Sequence, residues 1–228
     1  GTGTTNFMGS PKNRIYNIKR ALEQFQSVII APGEEFSFVH YLGEVDGEHG
    51  YLPELVIRNN KTEPEFGGGI CQVSSTVFRA AIYSGMKITE RRNHSYPVRY
   101  YLPYGMDATV YVPKPDFKFQ NNTGHHVMMQ SEIVGDTLNF RFFGTDDGRT
   151  TTIDGPHILS RGGDGSMKTI FTQIVKDKDG NDMIKDSFAS NYKSPSLFPH
   201  PGEEQKKLTS KPGDWSSRQW REYKKLNP

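Results

Sequence analysis

The apolar pattern of this chain changes period at residue 86, and that change constrains the fold more than any other feature. Upstream, hydrophobic residues recur at helical spacing. Ile15, Ile18, Leu22 and Phe25 share one face, which predicts an amphipathic helix over residues 11–26, capped by Ser10 with Pro11 at its first position. Val73, Val77 and Ala81 share another face, flanked by Phe78 and Ile82, which predicts a helix from Cys71 to Tyr83 ended by Gly85. Downstream, alternating segments follow one another: KITERR, SYPVRYY, ATVYV, FKFQN, HVMMQSEIV and TLNFRFFG. Helices first and strands afterwards predict an α+β fold, with N-terminal helices packed on a mainly antiparallel sheet.

Weaker signals fill in the rest. Pro32-Gly33 predicts a turn and residues 35–38 a short strand, while residues 41–64 read as loop around a short apolar LVI. Residues 168–190 alternate on both sides of Asp179-Gly180-Asn181, the pattern of a hairpin. The organisation expected is a domain over 1–150, a C-terminal β-hairpin extension over 151–199 packed on it, and a polar tail over 200–228 with a short terminal helix. With 14 Phe and 11 Tyr in 228 residues, the chain can build a substantial core. The 28 basic and 26 acidic residues nearly balance, leaving +2, which does not describe a nucleic-acid binder. No stretch reaches the roughly 18 apolar residues of a membrane span. No secretory leader is visible, and the start GTGTTNF reads as a cut end, so a leader or anchor is expected to lie outside this chain and any membrane contact with it. No cofactor, no metal and a monomeric state are expected. The single cysteine excludes an intrachain disulfide and a Cys-rich zinc site.

That cysteine sits in FGGGICQVSST, residues 66–76. At a helix N-terminus Cys71 feels the positive end of the helix dipole, which favours the thiolate. Gly67, Gly68 and Gly69 leave the backbone open to close approach, and their N–H groups with that of Cys71 would form an oxyanion hole. Gln72, Ser74, Ser75 and Thr76 make the first turn unusually polar, and Gln72 and Ser74 become candidate substrate contacts. A cysteine nucleophile needs a base, and among seven histidines His94, in RRNHSYPV, opens the strand region that follows the helix. A helix-borne cysteine facing a histidine on the adjoining sheet is the arrangement of papain-like and transglutaminase-like enzymes. The third member is Asp107 or Asp116. A tight hairpin of 95–101 with 107–113 favours Asp116; a wide loop over 102–105 favours Asp107, the preferred reading because a carboxylate among apolar residues needs a partner. Arg91 and Arg92 are candidates for binding substrate carboxylates, with strand alternation allowing only one to face the site. Arg92 is the one assigned, and Tyr96 is assigned to the substrate groove.

The runs GGGICQVSSTVFRAAIYSGMKITERRNHSYPVRYY, DATVYV and PDFKFQNNTG, with TTNFMGSPKNRIYNIKRALE and APGEEFSF upstream, resemble the VanW domain family over about residues 4–145. Met8 departs from the serine frequent in that family, and YKSPSLFPH is similar to an extension of some relatives. The resemblance implies a bacterial protein of the cell envelope. It also implies L,D-transpeptidase activity on peptidoglycan stem peptides, with Cys71 as nucleophile and His94 as base. Two other readings fit the same residues: a non-catalytic module that binds the wall, and a cysteine peptidase or amidase acting on stem peptides.

Overall fold

The second predicted helix organises everything around it. In the computed structural model, which describes residues 1–58, 61–198 and positions 210, 211, 217 and 221, this helix runs Ile70–Tyr83 (α3 below), with every residue buried except Cys71 and Tyr83. A helix enclosed on all sides is a central core element rather than a surface one. It ends where the sequence predicts. Gly85 takes the left-handed conformation (φ 69°), its N–H donates to Ile82 and that of Met86 donates to Ala81, the paired bonds of a Schellman motif.

The chain begins with β1 (Thr2–Asn6), which lies directly on α3: a Cβ on Gly3 would stand 2.2 Å from the Thr76 carbonyl oxygen. Next comes α1 (Lys12–Leu22), extended by a 3-10 turn over Glu23–Phe25, in place of one helix over 11–26. Pro11 rather than Ser10 occupies the cap position, and the Ser10 hydroxyl instead accepts a bond from Arg14 Nη1 at 2.7 Å. Short elements follow: β2 (Val28–Ile30), β3 (Glu35–Ser37) and α2 (Phe38–Leu42). Residues expected to be loop form a hairpin, β4 (Pro53–Arg58) with β5 (Lys61–Phe66), leading into the glycines.

After α3 come β6 (Lys87–Glu90), β7 (Lys118–Gln120), β8 (Val127–Val134), β9 (Thr137–Gly144), β10 (Thr150–Arg161), β11 (Met167–Lys176) and β12 (Asp182–Tyr192). All described pairings are antiparallel. They form four sheets among the described residues rather than one: β1-β9-β8-β2, β3-β7-β6, β10-β11-β12 and the β4-β5 hairpin. The α+β class and the antiparallel character stand. SYPVRYY and ATVYV are not strands, however. Pro97, Pro103, Pro113 and Pro115 punctuate this stretch, and each removes a donor that a ladder would need. It folds instead as a long irregular arch over residues 91–117, with a 3-10 turn at Arg99–Tyr101.

The C-terminal extension is a three-stranded ribbon, not a two-stranded hairpin. β10 was hidden by Gly155-Pro156, which the sheet accommodates in a register shift between Asp154 and His157. The ribbon packs on α3 through Phe171 and Phe188, whose rings lie 6.2 and 6.1 Å from that of Phe78. Gln173 Nε2 also donates to the carbonyls of Ile82 and Met86 at the helix end. An aromatic core including Phe25, Phe36, Phe38, Phe117 and Phe119 fills the space between the small sheets, with Phe25–Phe38 stacked at 4.5 Å and Phe36–Phe119 at 4.8 Å. Burying each such ring contributes roughly 1.5–3 kcal/mol. The tail expected over 200–228 falls outside the described residues apart from four isolated positions.

Candidate active site

The glycine run is a joint between elements: protein, not open space, meets its side-chain face. Gly69 caps α3 at φ 113°, and a Cβ there would lie 2.9 Å from the Arg14 carbonyl oxygen and 3.2 Å from Ile18. One on Gly68 would press on Glu54 and Leu55 of β4, and one on Gly67 on Val45 and Ile70. Gly67 N–H donates to Leu52, and the carbonyls of Gly67 and Gly69 accept from Ile70 and Gln72 to close the first turn. The side-chain side of all three glycines is therefore filled by protein. They are bare because α1 and the β4-β5 hairpin converge there.

Cys71, half-buried, projects from that first turn. Its sulfur lies 3.5 Å from the Val110 carbonyl oxygen and 3.7 Å from the Thr109 hydroxyl, both on the arch. The arch is fastened to α3 by the side chains that make the first turns of the helix polar. Ser74 Oγ donates to the Ala108 carbonyl at 2.6 Å, Ser75 Oγ accepts from Ala108 N at 3.2 Å, and Arg79 reaches the carbonyls of Met106, Tyr101 and Thr4. Gln72 accepts from Arg14 Nη2 and donates to the Asn6 carbonyl. Gln72 and Ser74 are thus buried and occupied within the chain, which corrects their assignment as substrate contacts.

Asp107 lies on the arch between Met106 and Ala108, buried to 2% exposure. Its Oδ2 accepts from His94 Nδ1 at 2.6 Å and from the His94 backbone N–H at 2.8 Å. The wide loop, not the tight hairpin, is what forms, and Asp107 is the carboxylate at the histidine. Asp116, the alternative, is elsewhere: it accepts from Ser37 Oγ and from the backbone N–H of Val39 and Phe117 beside α2. His94 is itself buried, with the Tyr101 ring 4.6 Å away and Nε2 without a regular hydrogen-bond partner.

Electrostatics couple the three groups. Burial alone would lower the His94 imidazole, but its hydrogen bond with Asp107, its interaction with the Cys71 sulfur and the charges of both outweigh this and push it up to about 9. Burial raises the Cys71 thiol, yet His94 above all, then the Val110 backbone and Thr109, hold it below the ordinary thiol range. Burial likewise works against ionised Asp107, but His94, Arg91 and Tyr192 bring it down to about 2. The arrangement shifts the pair toward a thiolate beside an imidazolium backed by a carboxylate. Among the described residues, no three His, Cys, Asp or Glu side chains gather as a metal site would require.

The inward-facing arginine of the RR pair is Arg91, and it is occupied: its Nε donates to the Asp107 carbonyl at 2.7 Å and its Nη2 to the Gly105 carbonyl at 2.9 Å. Arg92 is exposed, its carbonyl accepting from Thr109 N, and Tyr96 is half-buried with its ring 4.9 Å from Phe198. The residue that sequence reasoning missed is Tyr192, whose hydroxyl donates to Asp107 Oδ1 from β12.

The family model for VanW-like proteins matches residues 13–143, more than half of the chain and all of Cys71, His94 and Asp107. The chain belongs to the VanW-like family. Among similar proteins, the uncharacterized protein YoaR of Bacillus subtilis (strain 168) is 34% identical over 146 residues, 64% of this chain and 48% of the relative. The vancomycin B-type resistance protein VanW of Enterococcus faecalis (strain ATCC 700802 / V583) is 30% identical over 119 residues, 49% of this chain and 42% of that protein. This VanW-like chain matches less than half the length of either relative. No solved structure matches it. No helix among the described residues is long and apolar enough to cross a membrane.

Proposed function

We propose that this protein is a cysteine acyltransferase of the bacterial cell envelope, an L,D-transpeptidase acting on peptidoglycan stem peptides. The observation that carries the reading is the buried His94–Asp107 pair set beside the one cysteine of the chain, at the start of α3. A buried imidazole with Nδ1 on a carboxylate, Nε2 outside any regular hydrogen bond and the Cys71 sulfur close enough to shift its pKa is oriented for proton transfer at Nε2. The relative named for vancomycin resistance supports a substrate in the cell wall.

In this mechanism the Cys71 thiolate attacks the carbonyl carbon joining the third-position diamino acid to the terminal D-alanine. The oxyanion forms near the Cys71 N–H at the positive end of α3, a donor worth about 3 kcal/mol in the transition state. As the C–N bond breaks, the Nε2 proton of His94 passes to the departing amine, leaving a thioester. The side-chain amine of a second stem attacks the thioester, His94 takes its proton, and the thiolate is released with a 3–3 cross-link formed. Water in place of that amine would release a shortened stem. Incubation with defined muropeptides followed by mass spectrometry tests the reading: a cross-linked dimer and a Cys71 adduct are expected, both lost in Cys71→Ala. Failure of every tested donor to form an adduct, or full biological effect in Cys71→Ala, overturns it in favour of a wall-binding role.

A further inference from the structure

The family match stops at residue 143, yet the site does not. Tyr192, at the end of β12, is buried to 1% exposure and places its hydroxyl between two arch groups: it accepts from Gly105 N–H at 2.8 Å and donates to Asp107 Oδ1. The same strand end grips the histidine segment, because Lys193 N–H donates to the Ser95 carbonyl at 2.8 Å and Asn93 Nδ2 donates to that of Asn191 at 3.2 Å. Ser190 Oγ accepts from Arg91 Nη2 at 3.0 Å, beside the contact of the same nitrogen with Asp107 Oδ1.

We propose that Tyr192 is a positioning residue for the Cys71–His94–Asp107 relay, so that the C-terminal ribbon completes the active unit; this rests on the acyltransfer reading above. The carboxylate of Asp107 has two oxygens and one task at each. With Tyr192 and Arg91 holding Oδ1, Oδ2 is left facing His94, and the carboxylate cannot rotate to share a proton elsewhere. The Gly105 N–H fixes the phenol oxygen as acceptor, which sends its proton toward Asp107. Burial and the neighbouring Asp107 raise the phenol above its ordinary range, so it stays a donor at any working pH. The charged and titratable groups facing Asp107 are Arg91, His94, Tyr192, Arg79 and Tyr101, with Cys71 behind His94.

The test is the pH profile of Cys71 alkylation by iodoacetamide in the whole chain, comparing wild type, Tyr192→Phe and the ribbon control Met183→Ala, an exposed site on β12. Phenylalanine keeps the ring and removes only the hydroxyl. We expect the Tyr192→Phe rate at pH 6 to fall about three- to tenfold and to rejoin wild type in alkaline solution, the signature of a thiolate midpoint raised by half to one unit. Met183→Ala should match wild type throughout. If wild-type Cys71 itself alkylates no faster than a small thiol, the acyltransfer reading fails. If wild type is activated and Tyr192→Phe has the same profile, or Met183→Ala shifts equally, the Tyr192 proposal alone fails. Should Tyr192→Phe melt below the assay temperature, Ser190→Ala, which removes the ribbon hydroxyl from Arg91, must show a smaller shift in the same direction or the proposal falls.

Discussion

Gly69→Ala should destabilise this protein rather than merely block its site. The residue sits at φ 113°, where an L side chain costs about 1–2 kcal/mol. Its new methyl would then meet the Arg14 carbonyl oxygen at 2.9 Å, Arg14 Cγ at 3.0 Å and Ile18 Cγ1 at 3.2 Å. The contact at 2.9 Å is with backbone, so α1 must move away from α3, and such overpacking costs roughly 1–3 kcal/mol more. The total is about 2–5 kcal/mol. Gly33→Ala is the internal control, because that glycine has φ 79° but nothing within 4 Å of an added Cβ, leaving the strain alone. At roughly 2–4 °C per kcal/mol for a chain of this size, Gly69→Ala should melt about 2–12 °C lower than Gly33→Ala by circular dichroism. Turnover lost in Gly69→Ala should track the unfolded fraction. Equal melting temperatures for the two variants would refute the joint and restore the glycines to the substrate path.

Three further outcomes follow from the relay. Iodoacetamide should alkylate Cys71 at pH 7 faster than a small-molecule thiol, with the thiolate already formed below the ordinary thiol range and a second inflection near pH 9 as His94 loses its proton; a single inflection at the ordinary thiol position would contradict this. Asp107→Asn replaces one acceptor by a donor among groups that all donate, so the His94 inflection should fall below about 9 by the share Asp107 supplies, Cys71 keeping the rest, and turnover should fall by less than about three hundredfold, the factor carried by the full shift of about 2.5 pH units. Because folded Asp107 titrates near 2, below its ordinary 3.8, its stabilisation is present above 3.8 and lost as pH falls through about 2. Thermal melts between pH 4 and 2 should decline more steeply in wild type than in Asp107→Asn.

The parts of this protein legible in its sequence are those governed by local period. α3 and its end at Gly85 could be read because apolar spacing and a single glycine specify them, and β8, β9, β11 and β12 because their alternation is uninterrupted. Cys71, His94 and Asp107 were legible as residue types in telling contexts: a helix start, the first histidine after it, and a carboxylate among apolar neighbours. What stayed hidden depended on distant partners. The arch reads as strands because its apolar residues alternate, while its prolines and its bonds to α3 decide otherwise. Tyr192 meets Asp107 across 85 residues of chain, and its own strand carries no mark of that meeting. The glycines are conspicuous for a sound reason, the absence of side chains, but nothing local says whether ligand or protein fills the space.

The fastening of the arch to α3 has a consequence for how the site behaves in time. Cys71 starts this helix, Ser74 and Ser75 hold Ala108 beside Asp107, and Arg79 holds Met106 together with Tyr101, the ring that lies against His94. Nucleophile, carboxylate and the wall behind the imidazole are all referred to one rod, like the jaws of a caliper sharing a beam. Breathing of the surrounding small sheets then carries them along together without opening the gap between them. Amide hydrogen exchange would register this as shared protection, with α3 and the backbone around Met106–Ala108 opening as one unit at a common rate.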